Sequence, residues 1–189
     1  MKQKLTLRRV LASAVAALAA AAAVWLLCRW VGYDLQLRIG NEPVYEIAND
    51  DYTQIIDVPE DGLWQAVPLE AGQTLYGCRL RFSTHGELYR AGMVMVDLCD
   101  ADGTILREAA GNYANIFDDN FTGFAFGTAY TAAQAETLYL HIYNVVEWEG
   151  PLGLWASTGT VGALSLTADG VDADATLALQ YICLLYTSP

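Results

Sequence analysis

The stretch that decides the fold is ETLYLHIYNVV, at residues 136–146. Every second position carries an apolar side chain that would face a core: Leu138, Leu140 and Ile142. The positions between them would lie on the opposite face: Tyr139, His141 and Tyr143. A period of two residues, in a segment rich in aromatic and β-branched side chains, is typical of a half-buried strand.

The same pattern recurs along the chain between segments with turn chemistry. It includes LWQAVPL (63–69), TLYGCRLRFS (74–83), AGMVMVDLCD (91–100), FTGFAFG (121–127) and a closing hairpin at 161–182. No window after residue 32 sustains the 3.6-residue period of a helix. About nine short strands of this kind predict an all-β fold, an antiparallel β-sandwich that is jelly-roll-like and extends over residues 33–182.

The first 32 residues have a different composition. A basic head at residues 1–9 precedes an uncharged run from Val10 to Cys28. As a helix, that run would span roughly 28 Å, close to the hydrocarbon thickness of a bilayer. We therefore expect one N-terminal transmembrane helix at residues 10–31, with the head in the cytoplasm and the sandwich outside. A cleaved signal peptide is the alternative, although the run is longer than a usual signal core and ends without small residues.

Charge separates the two parts further. Residues 33–189 hold five arginines and all 22 carboxylates, a formal charge of −17 (5 − 22). A body this acidic gains nothing from contacts with phosphates, so we expect no nucleic-acid partner. The alternation places Cys78 inward and Cys99 outward, which predicts two free thiols rather than a disulfide.

From Trp64 onward, the order of the motifs carries a resemblance. A Gln before a strand is followed by L-x-G-x-x-L-x-F, V-x-V-x-L-x-D-A-D-G, D-N-F-x-x-F-x-F, L-x-L-x-I, LW and a final hairpin. Over roughly residues 60–182 this order resembles an extracytoplasmic jelly-roll domain of bacterial multi-spanning envelope proteins, many of them polysaccharide-handling or glycosyltransferase-like. The resemblance implies the bacterial cytoplasmic membrane as the location, with the N-terminus inside and the β domain outside.

The last seven residues, CLLYTSP at 183–189, resemble a translated sequencing adapter. The strand pattern also weakens after Ile182. We therefore expect a non-native tail at 183–189 and a natural chain that continues past Ile182. A genuine final strand with a ragged end is the alternative.

Four side chains are candidates for ligand binding, because each could stack on or hydrogen-bond to a sugar ring: Trp148, Tyr89, Tyr113 and His85. Four carboxylates at turns offer the hard oxygen ligands that calcium accepts: Asp100, Asp102, Asp118 and Asp119. Aspartates also occur at turns simply because they bond nearby backbone amides. Zinc-type spacing and a nucleophile elbow are missing from the sequence, so we expect no catalytic residue, no bound metal and no cofactor in this chain.

These observations predict a membrane-anchored, extracytoplasmic binding or interaction module that is not catalytic, with a cell-envelope glycan as the most natural ligand. Two alternatives stay open. The domain could be the accessory ectodomain of a truncated multi-pass glycosyltransferase-like membrane enzyme. It could also be a structural domain that packs against other membrane subunits.

Overall fold

The computed structural model describes residues 15–25, 43–88, 91–145 and 151–184. The chain divides into two compact units, Met1–Gly40 and Asn41–Pro189. In the first unit, residues 15–25 are helical. Within the described ranges, no helix is both long and apolar enough to cross a membrane. The remaining parts of the predicted anchor lie outside the described residues.

The second unit consists of strands, and the described ranges contain thirteen of them rather than about nine. The strands are β1 (Pro43–Asn49), β2 (Gln54–Asp57), β3 (Leu63–Leu69), β4 (Thr74–Ser83), β5 (Met93–Cys99), β6 (Ile105–Asn112), β7 (Asn120–Thr131), β8 (Glu136–Val145), β9 (Gly153–Thr158), β10 (Leu166–Ala168), β11 (Val171–Asp172), β12 (Ala175–Leu177) and β13 (Leu179–Leu184). One short 3-10 turn, Tyr113–Asn115, connects β6 to the segment that precedes β7.

The strands form two antiparallel sheets. Sheet A has the order β1-β13-β4-β9-β12, with β2 paired to β9 and β7 paired to β4. Sheet B has the order β11-β10-β3-β8-β5-β6. Buried side chains from both sheets form one hydrophobic cluster. The predicted antiparallel β-sandwich is therefore confirmed.

The core follows the alternation in the sequence. On β8, Leu138, Leu140 and Ile142 are buried, whereas the residues between them are partly exposed. On β4, the inward set is Cys78, Leu80 and Phe82, and all three are fully buried. Burial of apolar side chains of this size is the dominant favourable contribution to folding.

β4 joins the parts of sheet A. It pairs with β7 along almost its whole length on one side, and with β13 and then β9 on the other. The ladder with β7 shifts register between Leu75 and Gly77. A Cβ atom at Gly77 would lie 2.1 Å from the carbonyl oxygen of Phe124, so only glycine lets the two strands approach this closely.

The structure differs from the simple strand pattern at two places. β13 continues through Cys183 and Leu184, which pair with Val44 and Pro43 of β1, so the strand does not end at Ile182. Cys99 lies opposite Tyr139 of β8, on the outer face where the alternation placed it, but it is buried, with 1% of its surface exposed. Alternation predicts the face of the sheet and not what covers that face. The expectation of free thiols is confirmed for Cys78 and Cys99.

Replacing Gly77 with alanine should destabilise the domain by about 2–4 kcal/mol, because the added methyl group overlaps backbone atoms of β7. The matched control is Gly159→Ala. Gly159 also has a positive φ, +84°, but a Cβ atom there meets nothing within 4 Å. This change should cost only about 1 kcal/mol, through backbone strain. Urea unfolding of the two variants measures the difference, and equal losses would contradict the crowding argument.

Candidate functional site

The outer face of sheet A carries arginine and aromatic side chains next to one another. We call this surface the arginine–aromatic face: Tyr45, Tyr52, Arg79, Arg81, Phe121 and Trp155. The arginines are there because the inward positions of β4 are apolar, which sends Arg79 and Arg81 to the opposite side of the strand.

The guanidinium groups alternate with the rings. The Cζ atom of Arg79 lies 4.6 Å from the centroid of the Tyr45 ring and 5.5 Å from that of Phe121. The Cζ atom of Arg81 lies 3.6 Å from the centroid of Tyr52 and 5.8 Å from that of Phe121. These distances are typical of cation–π contacts, so the side chains form a ladder across the face. The edge of the Trp155 ring packs against Tyr52, with 5.7 Å between centroids.

The two arginines differ in their charge partners. Arg81 forms a salt bridge with Asp119, with 2.7 Å between Nη2 and Oδ1. Arg79 donates a hydrogen bond to Oε1 of Gln180 at 3.0 Å and has no carboxylate partner within the described part of the chain. In a domain with so few cations, a half-buried guanidinium with no carboxylate partner is a good site for hydroxyl or anionic groups of a ligand.

The ends of the ladder are open to solvent. Tyr45 is 48% exposed and Tyr52 is 42% exposed, and Ile47 and Ile55 beside them are also exposed. Exposed apolar and aromatic surface on one face of a sheet often marks an interaction site. Tyr45 contacts the guanidinium of Arg79 and still exposes about half of its surface, which a ligand could contact.

The structure places His85 near one end of this face. Its Nε2 atom lies 2.8 Å from Oδ1 of Asp57, and both side chains are exposed. Gly153 lies beneath them, so close that a Cβ atom there would be 3.3 Å from Nε2 of His85 and 2.4 Å from Ile55. The imidazole is therefore positioned by the end of β2 rather than by a partner nucleophile.

Ser83 does not form a catalytic pair with His85. Its hydroxyl donates to Oδ1 of Asp118 at 3.3 Å and accepts the backbone N–H of His85 at 3.2 Å. The imidazole is directed at Asp57 instead. Nucleophilic catalysis needs the base to contact the nucleophile. The imidazole of His85 contacts Asp57 and not the Ser83 hydroxyl, so the two side chains are not arranged as a nucleophile and its base.

The other sequence candidates are distributed as follows. Tyr113, expected as a stacking platform, is 1% exposed and donates its hydroxyl proton to Oδ1 of Asn144. A buried ring cannot stack on a surface ligand, so its role is core packing. Tyr89 and Trp148 lie outside the described residues.

The four aspartates considered for calcium lie in two separate loops, and the side chains of Asp100, Asp118 and Asp119 have partners. Oδ1 of Asp100 accepts the backbone N–H groups of Asp102 and Thr104. Oδ1 of Asp118 accepts the N–H of Thr84 at 2.7 Å, and Asp119 pairs with Arg81. Across the described ranges, no group of three or more His, Cys, Asp or Glu side chains could hold a metal ion. Turn chemistry, the alternative named from the sequence, accounts for the positions of Asp100 and Asp118.

Sequence reasoning missed a buried acid on the outer face of sheet B. Alternation along β5 places Asp97 opposite the core residues, yet its side chain is fully buried. Oδ2 accepts a hydrogen bond from the Tyr143 hydroxyl at 2.9 Å, and Oδ1 has no hydrogen-bond partner. His141 stacks between Trp64 and Tyr143 with ring centroids 4.1 and 4.6 Å apart, and this row of rings runs beside Asp97.

Burial raises the pKa of Asp97 above its ordinary value. The negative charge of Glu108 raises it further, while the hydrogen bond from Tyr143 and the nearby His141 act in the opposite direction. Burial and the hydrogen bond to Asp97 also raise the pKa of Tyr143, to about 12. The folded protein therefore favours the protonated carboxyl group more than the unfolded chain does.

The stability contribution of Asp97 should therefore be largest at low pH. A raised folded-state pKa gives stability that is fully present below the unfolded pKa of about 4 and is lost as pH rises through the folded pKa. We expect the free energy of unfolding of Asp97→Asn, relative to that of the wild type, to increase between pH 3.5 and pH 7, because only the wild type loses stability as the buried carboxyl group ionises. Denaturant unfolding across this range, with the exposed Asp102→Asn as the control, checks this. A difference independent of pH would contradict it.

No protein family model matches the chain. No curated protein matches it either.

Among solved structures, the chain is similar to the infectious bursal disease virus VP2 subviral particle, with 19% identity over 77% of this chain and a TM-score of 0.35. The Gx and Gt strains of that virus match at 16% and 18% identity, over 78% and 79% of this chain, with a TM-score of 0.33 each. This chain spans about 38% of the length of each of these viral chains. At such scores the likeness carries no argument about function.

Proposed function

We propose that this domain is a non-catalytic binding module and that its arginine–aromatic face binds a glycan. The single observation that carries the proposal is the ladder of Tyr45, Arg79, Phe121, Arg81 and Tyr52 on an open sheet face. A glycan is chemically complementary to this surface. Its apolar ring faces can pack on the aromatic side chains, and its hydroxyl groups can accept hydrogen bonds from the guanidinium groups.

The side chains of the ladder are also held in place before any ligand binds. Each guanidinium is held between two rings, and Arg81 is held in addition by Asp119. A side chain that is already ordered loses less conformational entropy when a ligand binds. Arg79, which has one amide partner and no carboxylate, is the member with donors left for a ligand.

We further propose that the sandwich is jelly-roll-like and is displayed outside the bacterial cytoplasmic membrane by an anchor at residues 10–31. The length and lack of charge of the Val10–Cys28 run support this placement, together with the basic head that precedes it.

The experiment is a glycan array probed with the full chain. We expect the wild type to bind a subset of the array. Tyr45→Ala and Phe121→Ala should each weaken binding about 3- to 10-fold, the loss that corresponds to one aromatic contact. Arg79→Lys should also weaken it, because lysine keeps the charge but loses the planar donor group.

Tyr139→Ala is the matched control, since Tyr139 is a partly exposed tyrosine on the outer face of sheet B. It should bind like the wild type. Failure of the wild type to bind any glycan would overturn the proposed function. Glycan binding that is unchanged in all three variants would show that the domain binds glycans at another surface, and it would overturn the assignment to the arginine–aromatic face.

A further inference from the structure

A cleft opens at the edge of the sandwich beside β1, away from the outer face of sheet A. It has a volume of about 710 Å³, within the range of small-molecule sites. β1 is the edge strand of sheet A, and its inward side faces the cleft together with β13, the β3–β4 turn and the loop before β10. We propose that this cleft binds a small organic cation with an apolar body.

The walls of the cleft are largely apolar. Leu69 and Leu164 contribute buried side chains, and Val161 and Ala48 contribute partly exposed ones. An apolar group placed between them would be removed from water on several sides, which favours binding in proportion to the area buried. The walls therefore suit the apolar part of a ligand.

The charges that line the cleft are all negative. Glu46 and Glu70 are exposed, and neither forms a salt bridge within the described part of the chain. The Cys183 thiol donates a weak hydrogen bond to Oε2 of Glu46, with 3.7 Å between the sulfur and the oxygen. Among the described residues, neither lysine nor arginine lines the cleft. Two carboxylates without a counter-ion beside an apolar wall attract a cation, and the net charge of −12 favours its approach.

A third polar group needs a partner. Tyr181 lines the cleft and is 5% exposed, and its buried hydroxyl oxygen has no hydrogen-bond partner within the ranges that the structure describes. Burial, and then the negative charge of Glu46, raises the pKa of this phenol, so it stays neutral. A buried hydroxyl that lacks a partner destabilises the folded state, and a ligand that supplies a partner would remove this cost.

These groups together select the class of ligand. Two carboxylate oxygens and a phenol oxygen all accept hydrogen bonds, which matches the several N–H groups of a protonated amine. An aromatic ring nearby adds a favourable contact for a cation. An anionic ligand would meet two like charges, and a neutral apolar ligand would leave both carboxylates without a partner. The inference is independent of glycan binding, because the cleft lies on the inward side of β1.

The test uses benzylammonium as the probe and benzyl alcohol as its neutral counterpart of similar shape. Both are titrated into the full chain and followed by two-dimensional NMR and calorimetry. We expect saturable binding of benzylammonium, with shifts at Leu164 and Tyr181, and binding of benzyl alcohol at least tenfold weaker. Equal affinity for the two probes, or shifts elsewhere in the chain, would overturn the proposal.

Three variants locate the site. Glu46→Gln and Glu70→Gln should each weaken benzylammonium binding at least fivefold, while Glu87→Gln, an exposed glutamate in the loop after β4, should leave it unchanged. Unchanged affinity in both cleft variants would overturn the assignment.

Tyr181→Phe distinguishes a ligand-binding hydroxyl from a structural one. We expect it to weaken benzylammonium binding about fivefold and, without ligand, to raise the Tm, because it removes a hydroxyl that has no partner. A lower Tm in the absence of ligand would show that the hydroxyl is already satisfied and would overturn its assigned role. Neither measurement depends on glycan binding.

Discussion

The structure depends on the position of β4 between three other strands. Its inward residues Cys78, Leu80 and Phe82 form the middle of the core on the sheet A side, and its edges hold β7, β13 and β9. The partners of β4 come from up to about a hundred residues later in the sequence, so sheet A forms only when distant segments meet. Pairing over such separations is characteristic of sandwiches and makes their folding comparatively slow.

The same alternation places the cations of the domain. Since the inward positions of β4 must be apolar, Arg79 and Arg81 project from the outer face, where they meet rings from β1, β7 and the segment before β2. Two cations on one face of a strongly acidic domain produce a local surface unlike the rest. The rings shield the guanidiniums and order them, and this makes the face suitable for recognition.

Among the described residues, five buried side-chain polar atoms have no hydrogen-bond partner, and they belong to Thr84, Asp97, Asn144, Trp155 and Tyr181. Two of these atoms, Oδ1 of Asp97 on sheet B and the hydroxyl of Tyr181 beside the cleft, bear on the groups described above. Buried polar atoms in folded proteins are nearly always satisfied, and exceptions are concentrated at positions with a role other than stability. For Asp97 the consequence is a shifted protonation equilibrium. For Tyr181, which lines an acidic cleft, the proposed consequence is that a bound ligand supplies the missing hydrogen-bond partner.

The fold class was predictable because side-chain period is a local property. Alternation along β8 and β4 correctly identified Leu140, Ile142, Leu80 and Phe82 as inward residues, and this alone specifies two-faced strands. The sequence likewise determined the acidity of the body and the uncharged run near the N-terminus.

The candidate sites were not predictable in the same way. Alternation distinguishes the two sides of a strand, but it does not say what covers each side, so Cys99 and Tyr113 were expected to be more exposed than they are. The arginine–aromatic face and the acidic cleft each combine residues from strands far apart in the chain. The sequence by itself determined which residues of a strand share a face. Only the pairing of distant strands decided which of these residues became neighbours, because strand order and register are set by packing across the whole sandwich.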